Sequence, residues 1–110
     1  MFGKGGMDIG NLKKMAEQMQ SKMAQVQEEL KERVVEGVAG GGMVTAYVNG
    51  AQEIMGIKIN PEVVKPEDAE MLADLVLAAV NQGLEKSRKM AADEMSKVTG
   101  GLGGLPGFPM

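Results

Sequence analysis

Residues 33–60 have the sequence RVVEGVAGGGMVTAYVNGAQEIMGIKIN, and this stretch decides the fold. It contains three runs rich in β-branched and apolar residues, at 33–38, 43–48 and 52–60. Glycine-containing segments separate the runs, and Asn49-Gly50 is a strong signal for a two-residue hairpin turn. In the third run Met55, Ile57 and Ile59 lie two residues apart, which places them on one face of a strand. The stretch therefore predicts a three-stranded antiparallel meander, one face of which must be covered for stability.

The segments on either side of the strands have helical periodicity. In residues 8–32 the apolar positions recur at steps of three and four, at Leu12, Met15, Met19, Met23, Val26 and Leu30. Asp8 is placed to cap the start of this helix. A second helix is predicted over residues 66–98, with Pro66 at its first position and acidic residues in its first turn. Because such a helix is about 47 Å long, we expect its last third to overhang the sheet.

These elements predict an α+β fold of order α-β-β-β-α, with two long helices and one domain over residues 8–98. Residues 1–7 are predicted to be a flexible N-terminus, and residues 99–110, rich in Gly, Leu and Pro, a flexible tail. A single copy would expose sheet edges and an apolar helix stripe, which a twofold partner would cover. We therefore expect a homodimer.

The composition argues against an enzyme. The 110 residues include no His, which is the commonest general acid–base and the commonest metal ligand. They also include no Cys, so disulfides and thiolate metal sites are excluded. Asp68 and Glu70 have no neighbouring base, and a helix start explains them. The three aromatic residues, Phe2, Tyr47 and Phe108, are too few for a platform that stacks single-stranded nucleic acid. We expect no catalysis, no cofactor or metal, no small-molecule substrate and no membrane-spanning segment.

Two further patterns have ordinary structural explanations. The run Gly40-Gly41-Gly42 joins two strands and lacks a following Gly-Lys-Ser/Thr, so it indicates a turn rather than a phosphate-binding loop. Met15, Met19 and Met23 lie one helical turn apart and could ligate a soft metal such as Cu(I), but adaptable packing is the simpler interpretation.

Several segments taken together resemble one protein family. They are GVAGGGMV at 37–44, VNG at 48–50, IKINP at 57–61, PEDAEMLADL at 66–75 and GGLPGF at 103–108. In this order they are similar to the YbaB/EbfC family of bacterial nucleoid-associated proteins. The resemblance implies a tweezer-like homodimer in the cytoplasm that binds double-stranded DNA of the nucleoid through protruding helical arms, with little sequence preference. Members often carry basic residues in the second and third strands, where this chain has Thr45 and Ile54-Met55-Gly56.

Basic residues of the two predicted helices are the candidate DNA contacts. The net charge is −3, so phosphate binding requires that positive charge be segregated. Lys86, Arg88 and Lys89 form the densest basic group and follow an acidic half-helix. The full candidate set is Lys13, Lys14, Lys22, Lys31, Arg33, Lys86, Arg88, Lys89 and Lys97. A solvated helix face balanced by glutamates is the alternative for each of them, and the sequence leaves it open.

A second hypothesis for the function is a protein-interaction adaptor. In that case the methionine-rich first helix and the apolar tail dock another protein, and DNA binding is incidental. The net negative charge and the missing strand cations favour this alternative. A membrane-surface helix fits less well, because the first helix has nearly balanced charges and no Trp anchor.

Overall fold

The computed structural model describes residues 9–98 of the chain. These residues form helix α1 (Ile9–Glu32), strands β1 (Val34–Ala39), β2 (Val44–Asn49) and β3 (Ile54–Ile59), and helix α2 (Ala69–Val98). The strands make one antiparallel sheet in the order β1-β2-β3, so the predicted α-β-β-β-α fold is confirmed. The predicted flexible ends, 1–7 and 99–110, and the capping role of Asp8 lie outside the described residues.

The turn between β1 and β2 has the conformation that its glycines predict. Gly40, Gly41 and Gly42 have φ values of 65°, 65° and 98°. Glycine adopts this left-handed region at little cost, whereas a side chain would be strained there. The run is therefore a strand-to-strand turn, and it opens no helix on which a phosphate could sit.

The connection between β2 and β3 differs from the predicted two-residue turn. It spans residues 50–53, and its positive φ, 65°, falls on Gln52. The reason is that Gly50 lies against the end of α1, where its N–H donates to the carbonyl oxygens of Leu30 at 2.8 Å and Arg33 at 3.0 Å. A Cβ at Gly50 would lie 2.7 Å from the Leu30 carbonyl oxygen. Glycine is needed here for close approach to a helix rather than for a tight hairpin.

Strand β3 departs from regular alternation at a β-bulge. The pairing register with β2 shifts between Tyr47 and Val48, so that Met55 is the extra residue of β3. The predicted common face of Met55, Ile57 and Ile59 is therefore wrong at Met55, because the bulge removes it from the alternation. The hydrophobic pattern alone carries no signal for such an insertion.

The core lies between α2 and strands β1 and β2. Val44, Ala46 and Ala79 are fully buried there. Partly buried side chains of α2 pack around them, namely Leu72, Leu75, Val76 and Val80. Because α2 packs on β1 and β2 rather than on β3, Ile54 and Ile57 remain about half exposed.

The projecting element is the first half of α1. The two helices run antiparallel, since Leu30 shares a hollow with Ala91 and Val26 shares another with Val98. Residues 9–18 of α1 are all exposed and continue past this contact, which contributes to the 77 Å length of the molecule. The predicted overhang of α2 is only partly confirmed: its last turns extend past the sheet, but they lie against α1.

Candidate nucleic-acid interface

Four of the nine predicted basic residues converge on one surface groove, where α2 passes the junction of α1 and β1. This basic groove is lined by Arg33, Val35, Lys86, Lys89, Met90, Asp93, Glu94, Ser96 and Lys97. Its four cations outnumber its two carboxylates, giving an excess of two positive charges in a chain whose net charge is −3. Local segregation of this kind is what the binding of phosphate requires.

Helical spacing accounts for the contribution of α2 to the groove. Positions 86, 89, 90, 93, 94 and 97 recur at steps of three and four, so their side chains share one face of the helix. Arg33 is the single residue between the end of α1 and the start of β1, and this junction places it opposite that face. Arg88 is exposed on α2 but does not line the groove. The densest basic group of the sequence is therefore divided between two faces.

Lys86 also closes the outer edge of the sheet. Its Nζ donates to the backbone carbonyl oxygen of Glu36 at 2.9 Å, and the Oε1 of Gln82 accepts from the N–H of Val38 at 2.7 Å. These contacts satisfy backbone groups of β1 that an edge strand would otherwise leave open for pairing. An ammonium group has three donors, so the Lys86 ammonium retains two for an anion in the groove.

Glu94 holds two of the groove cations. Its Oε2 accepts from Arg33 Nη1 at 3.0 Å and from Lys97 Nζ at 3.0 Å. The Glu94 side chain is 21% exposed, against 51% for Arg33 and 73% for Lys97. The hydrogen bonds from Lys97 and Arg33 lower the pKa of Glu94 below its ordinary value of 4.5, so this carboxylate is charged at neutral pH.

All four predicted basic residues of α1 lie outside the basic groove. Lys13 and Lys14 line a shallow hollow on the projecting half of the helix, together with Glu17. Lys22 lines a hollow between the two helices that also includes Lys97. The projecting half of α1, residues 9–18, is called the arm from here on. It carries Lys13 and Lys14 near its tip, and Lys22 lies at its base.

Lys31 is the candidate whose surroundings least suit phosphate. Its Nζ lies 3.4 Å from the carboxylate of Glu28, and both side chains are more than half exposed. An exposed ion pair of this spacing is typical of a solvated helix face. The hollow that Lys31 borders is mainly apolar, with Leu30 and Met95 in its lining.

Sequence reasoning missed Glu94 as a member of the site. The only signal in the sequence is its position three residues before Lys97, which favours an ion pair on one helix. The contact with Arg33 joins residues that are far apart in the chain, and periodicity within one helix cannot reveal it.

The sequence model of the YbaB/EbfC DNA-binding family matches residues 4–102. The chain belongs to the YbaB/EbfC DNA-binding family. A nucleoid-associated protein of Acetivibrio thermocellus is 57% identical over 106 residues, which cover 96% of this chain and 93% of the relative. One of Caldanaerobacter subterraneus subsp. tengcongensis is 53% identical over 104 residues, which cover 94% of this chain and 93% of that relative.

A solved structure shows the YbaB/EbfC fold in a distant relative. An uncharacterized protein from Helicobacter pylori superposes with a TM-score of 0.68 at 29% sequence identity, covering 81% of this chain and 97% of the other. The family is one of nucleoid-associated DNA-binding proteins and is not known as an enzyme family. Within residues 9–98, neither helix has the length and apolar character needed to cross a bilayer.

Proposed function

We propose that this YbaB/EbfC protein binds double-stranded DNA with little sequence preference, through phosphate contacts made by its helical arms. The observation that carries the proposal is the convergence of Arg33, Lys86, Lys89 and Lys97 on one groove of an acidic chain. The relatives named as nucleoid-associated proteins support a role at the nucleoid in the cytoplasm, where such binding would influence nucleoid organisation and gene expression.

Phosphate contacts would position this protein on DNA without reading the bases. Lysine and arginine bind phosphate oxygens whatever the sequence, whereas bidentate contacts to base edges come from Asn, Gln and Arg. Neither Asn nor Gln is among the described residues that line the groove, and its single arginine is held by Glu94. Lys13, Lys14 and Lys22 extend the positive charge along α1, so that one arm could follow several phosphates.

A salt titration with several unrelated duplexes tests this mode of binding. Each phosphate neutralised releases counterions, so we expect log K to fall linearly with log salt, with a slope of about −0.9 per contact. Affinities for the different duplexes should agree closely at each salt concentration. A flat salt dependence, or one strongly preferred duplex, would contradict phosphate binding as the main contribution.

Paired substitutions can locate the contacts. We expect Lys86→Gln with Lys89→Gln to weaken binding about tenfold or more, and to reduce the salt slope by about 1 per lysine. Lys31→Gln with Lys65→Gln is the matched control, because it removes the same charge from exposed positions outside both the groove and β3. Equal losses in the two double variants would show that total charge, rather than the groove, determines affinity.

Homodimerisation through β3 is the second part of the proposal. Side chains of Gln82 and Lys86 close the β1 edge, whereas in the described chain no strand pairs with the outer side of β3. β3 also exposes large apolar side chains, with Ile54 at 49% and Ile57 at 43%. A second copy bound along β3 would bury these side chains. The resulting dimer would carry two basic grooves, so that once one groove binds DNA the other is at a raised effective concentration.

The molar mass in solution tests the dimer. We expect light scattering after size-exclusion chromatography to give twice the chain mass for the wild type and one chain mass for Ile57→Lys. Leu12→Lys, a similar change on the projecting half of α1, should leave the dimer intact. A dimer lost with Leu12→Lys and kept with Ile57→Lys would move the interface to the arm.

A protein-interaction adaptor is the second candidate function, and one observation favours it. The projecting half of α1 exposes an apolar stripe in which Ile9 is 79%, Leu12 46% and Met15 62% exposed. Such a stripe can dock in an apolar groove of another protein. Weak DNA binding by the wild type at moderate salt would favour this candidate. Strong, salt-sensitive binding that survives Leu12→Gln, which disrupts the stripe without adding a cation beside Lys13 and Lys14, would favour the nucleoid function.

A further inference from the structure

Glu94 occupies the position in the basic groove that an anion would take. One oxygen of its carboxylate, Oε2, accepts hydrogen bonds from both Arg33 and Lys97 at 3.0 Å. These cations come from different elements, the α1–β1 junction and the last turn of α2. The carboxylate therefore makes the contacts by which two separate cations would grip a phosphate oxygen.

The ion pairs of Glu94 are of a kind that a phosphate can displace. Arg33 and Lys97 are more than half exposed, so DNA can reach them. Exposed ion pairs are weak, because water and salt screen them. The phosphodiester also offers charged oxygens that accept the same donors, so exchange of one anion for the other conserves the hydrogen bonds.

We propose that Glu94 is an internal competitor of DNA phosphate, which holds Arg33 and Lys97 until DNA displaces it and thereby limits the affinity of the groove. This inference rests on the proposed function. Once displaced, the carboxylate still lies beside the bound phosphate and repels it, so Glu94 weakens binding by both competition and repulsion.

Asp93 provides a matched comparison. It lines the same groove and carries the same charge, but no ion pair joins it to a cation within residues 9–98. Glu94→Gln and Asp93→Asn thus remove one negative charge each from one groove, and only the first releases two cations. Glutamine retains the size of Glu94, so the packing around position 94 changes little, whereas its neutral amide oxygen holds the two cations much less strongly than a carboxylate does.

The experiment measures DNA affinity across a salt series for the full-length wild type and both variants, on one duplex. We expect Glu94→Gln to bind about three- to tenfold more tightly than the wild type at moderate salt. Its salt slope should stay close to that of the wild type, because Arg33 and Lys97 meet phosphates in both complexes and only the competing carboxylate is removed. The DNA affinity of Asp93→Asn should exceed that of the wild type by no more than about twofold, with an unchanged dependence on salt. Adding Arg33→Gln to Glu94→Gln should remove most of the gain.

Three outcomes would overturn the inference. Glu94→Gln could bind as the wild type does, it could bind more weakly because Glu94 serves to orient the cations, or Asp93→Asn could produce the same gain through charge alone. Absence of DNA binding by the wild type would instead defeat the proposed function itself.

A measurement on the wild type keeps the inference testable should Glu94→Gln fold poorly. On addition of a short duplex, the carboxyl carbon signal of Glu94 in an NMR spectrum should move toward that of a free glutamate. The guanidinium signal of Arg33 should shift over the same range of DNA concentration. A Glu94 signal that stays fixed while DNA binds would refute the exchange.

Discussion

Gly37→Ala is expected to lower the free energy of unfolding by about 3 kcal/mol. Gly37 is buried in β1 and faces α2, where a Cβ would fall far inside van der Waals contact with the backbone of Ala79 and Gly83. Backbone atoms cannot rotate aside as the end of a side chain can, so α2 must move away from the sheet. Overpacking typically costs about 1–3 kcal/mol of folding free energy, and a substitution that must displace backbone atoms is expected at the upper end of that range.

Gly56→Ala is the matched control for this prediction. Gly56 also lies in a strand, but the nearest atom to an added Cβ would be Cδ2 of Tyr47 at 4.0 Å, an ordinary contact. We expect its stability to lie within about 0.5 kcal/mol of the wild type, as for substitutions away from tightly packed positions. Urea denaturation followed by circular dichroism measures both variants. A Gly37→Ala protein as stable as the Gly56→Ala protein would show that α2 does not lie this close to β1.

Gly37→Ala should also weaken DNA binding. Lys86 and Lys89 are held over the groove because α2 lies against β1, and the bond from Lys86 to Glu36 depends on that distance. Displacing α2 would separate these cations from Arg33, which belongs to the junction of α1 and β1. Affinity measured well below the unfolding transition separates this effect from loss of folded protein.

Local sequence patterns predict the elements of this fold well, because they arise from rules within one segment. The Gly40–Gly42 turn follows from the conformational freedom of glycine, and the two long helices follow from apolar residues at steps of three and four. Close packing of α2 on the sheet depends instead on Gly37 meeting Gly83, two residues of different elements. Glycine is unfavourable in the interior of a strand and of a helix, so each residue taken alone looks destabilising. The pattern of β1 and the pattern of α2 therefore give no sign that the two glycines pack together.

The candidate site shows the same division between local and distant information. Charge counting identifies Lys86 and Lys89 as a basic group, and both line the groove. It also selects Arg88, because a sequence window does not distinguish helix faces unless the direction of the core is known. The role of Glu94 requires the approach of α1 to α2, since one of its partners is Arg33. Which residues line the groove is therefore determined by tertiary packing and not by local sequence.

The base of the arm depends on one buried amide. Asn49 is 1% exposed, and its Nδ2 donates to the backbone carbonyl oxygen of Lys31 at 3.2 Å and to Glu53 Oε1 at 2.8 Å. Its Oδ1 accepts from the N–H groups of Ala51 at 3.0 Å and Glu53 at 2.9 Å. The backbone carbonyl oxygen of Asn49 accepts from the buried hydroxyl of Ser87 at 2.6 Å. One residue thus connects the end of α1, the β2–β3 loop and α2.

Asn49→Ala should therefore destabilise the protein by about 3 kcal/mol and loosen the arm. Each buried polar group left without its partner costs about 1–3 kcal/mol, and the substitution removes both donors and the acceptor of the amide at once. Because α1 would lose its bond at Lys31, hydrogen exchange of the Gly50 amide, which donates to Leu30 and Arg33, should accelerate more than that of amides in the centre of β2. Asn81→Ala is the control, since Asn81 is exposed on α2 and its side chain makes no hydrogen bond within residues 9–98. If exchange rose uniformly over the sheet, Asn49 would contribute to global stability alone, and the angle of the arm would have to be fixed by the helix contacts instead.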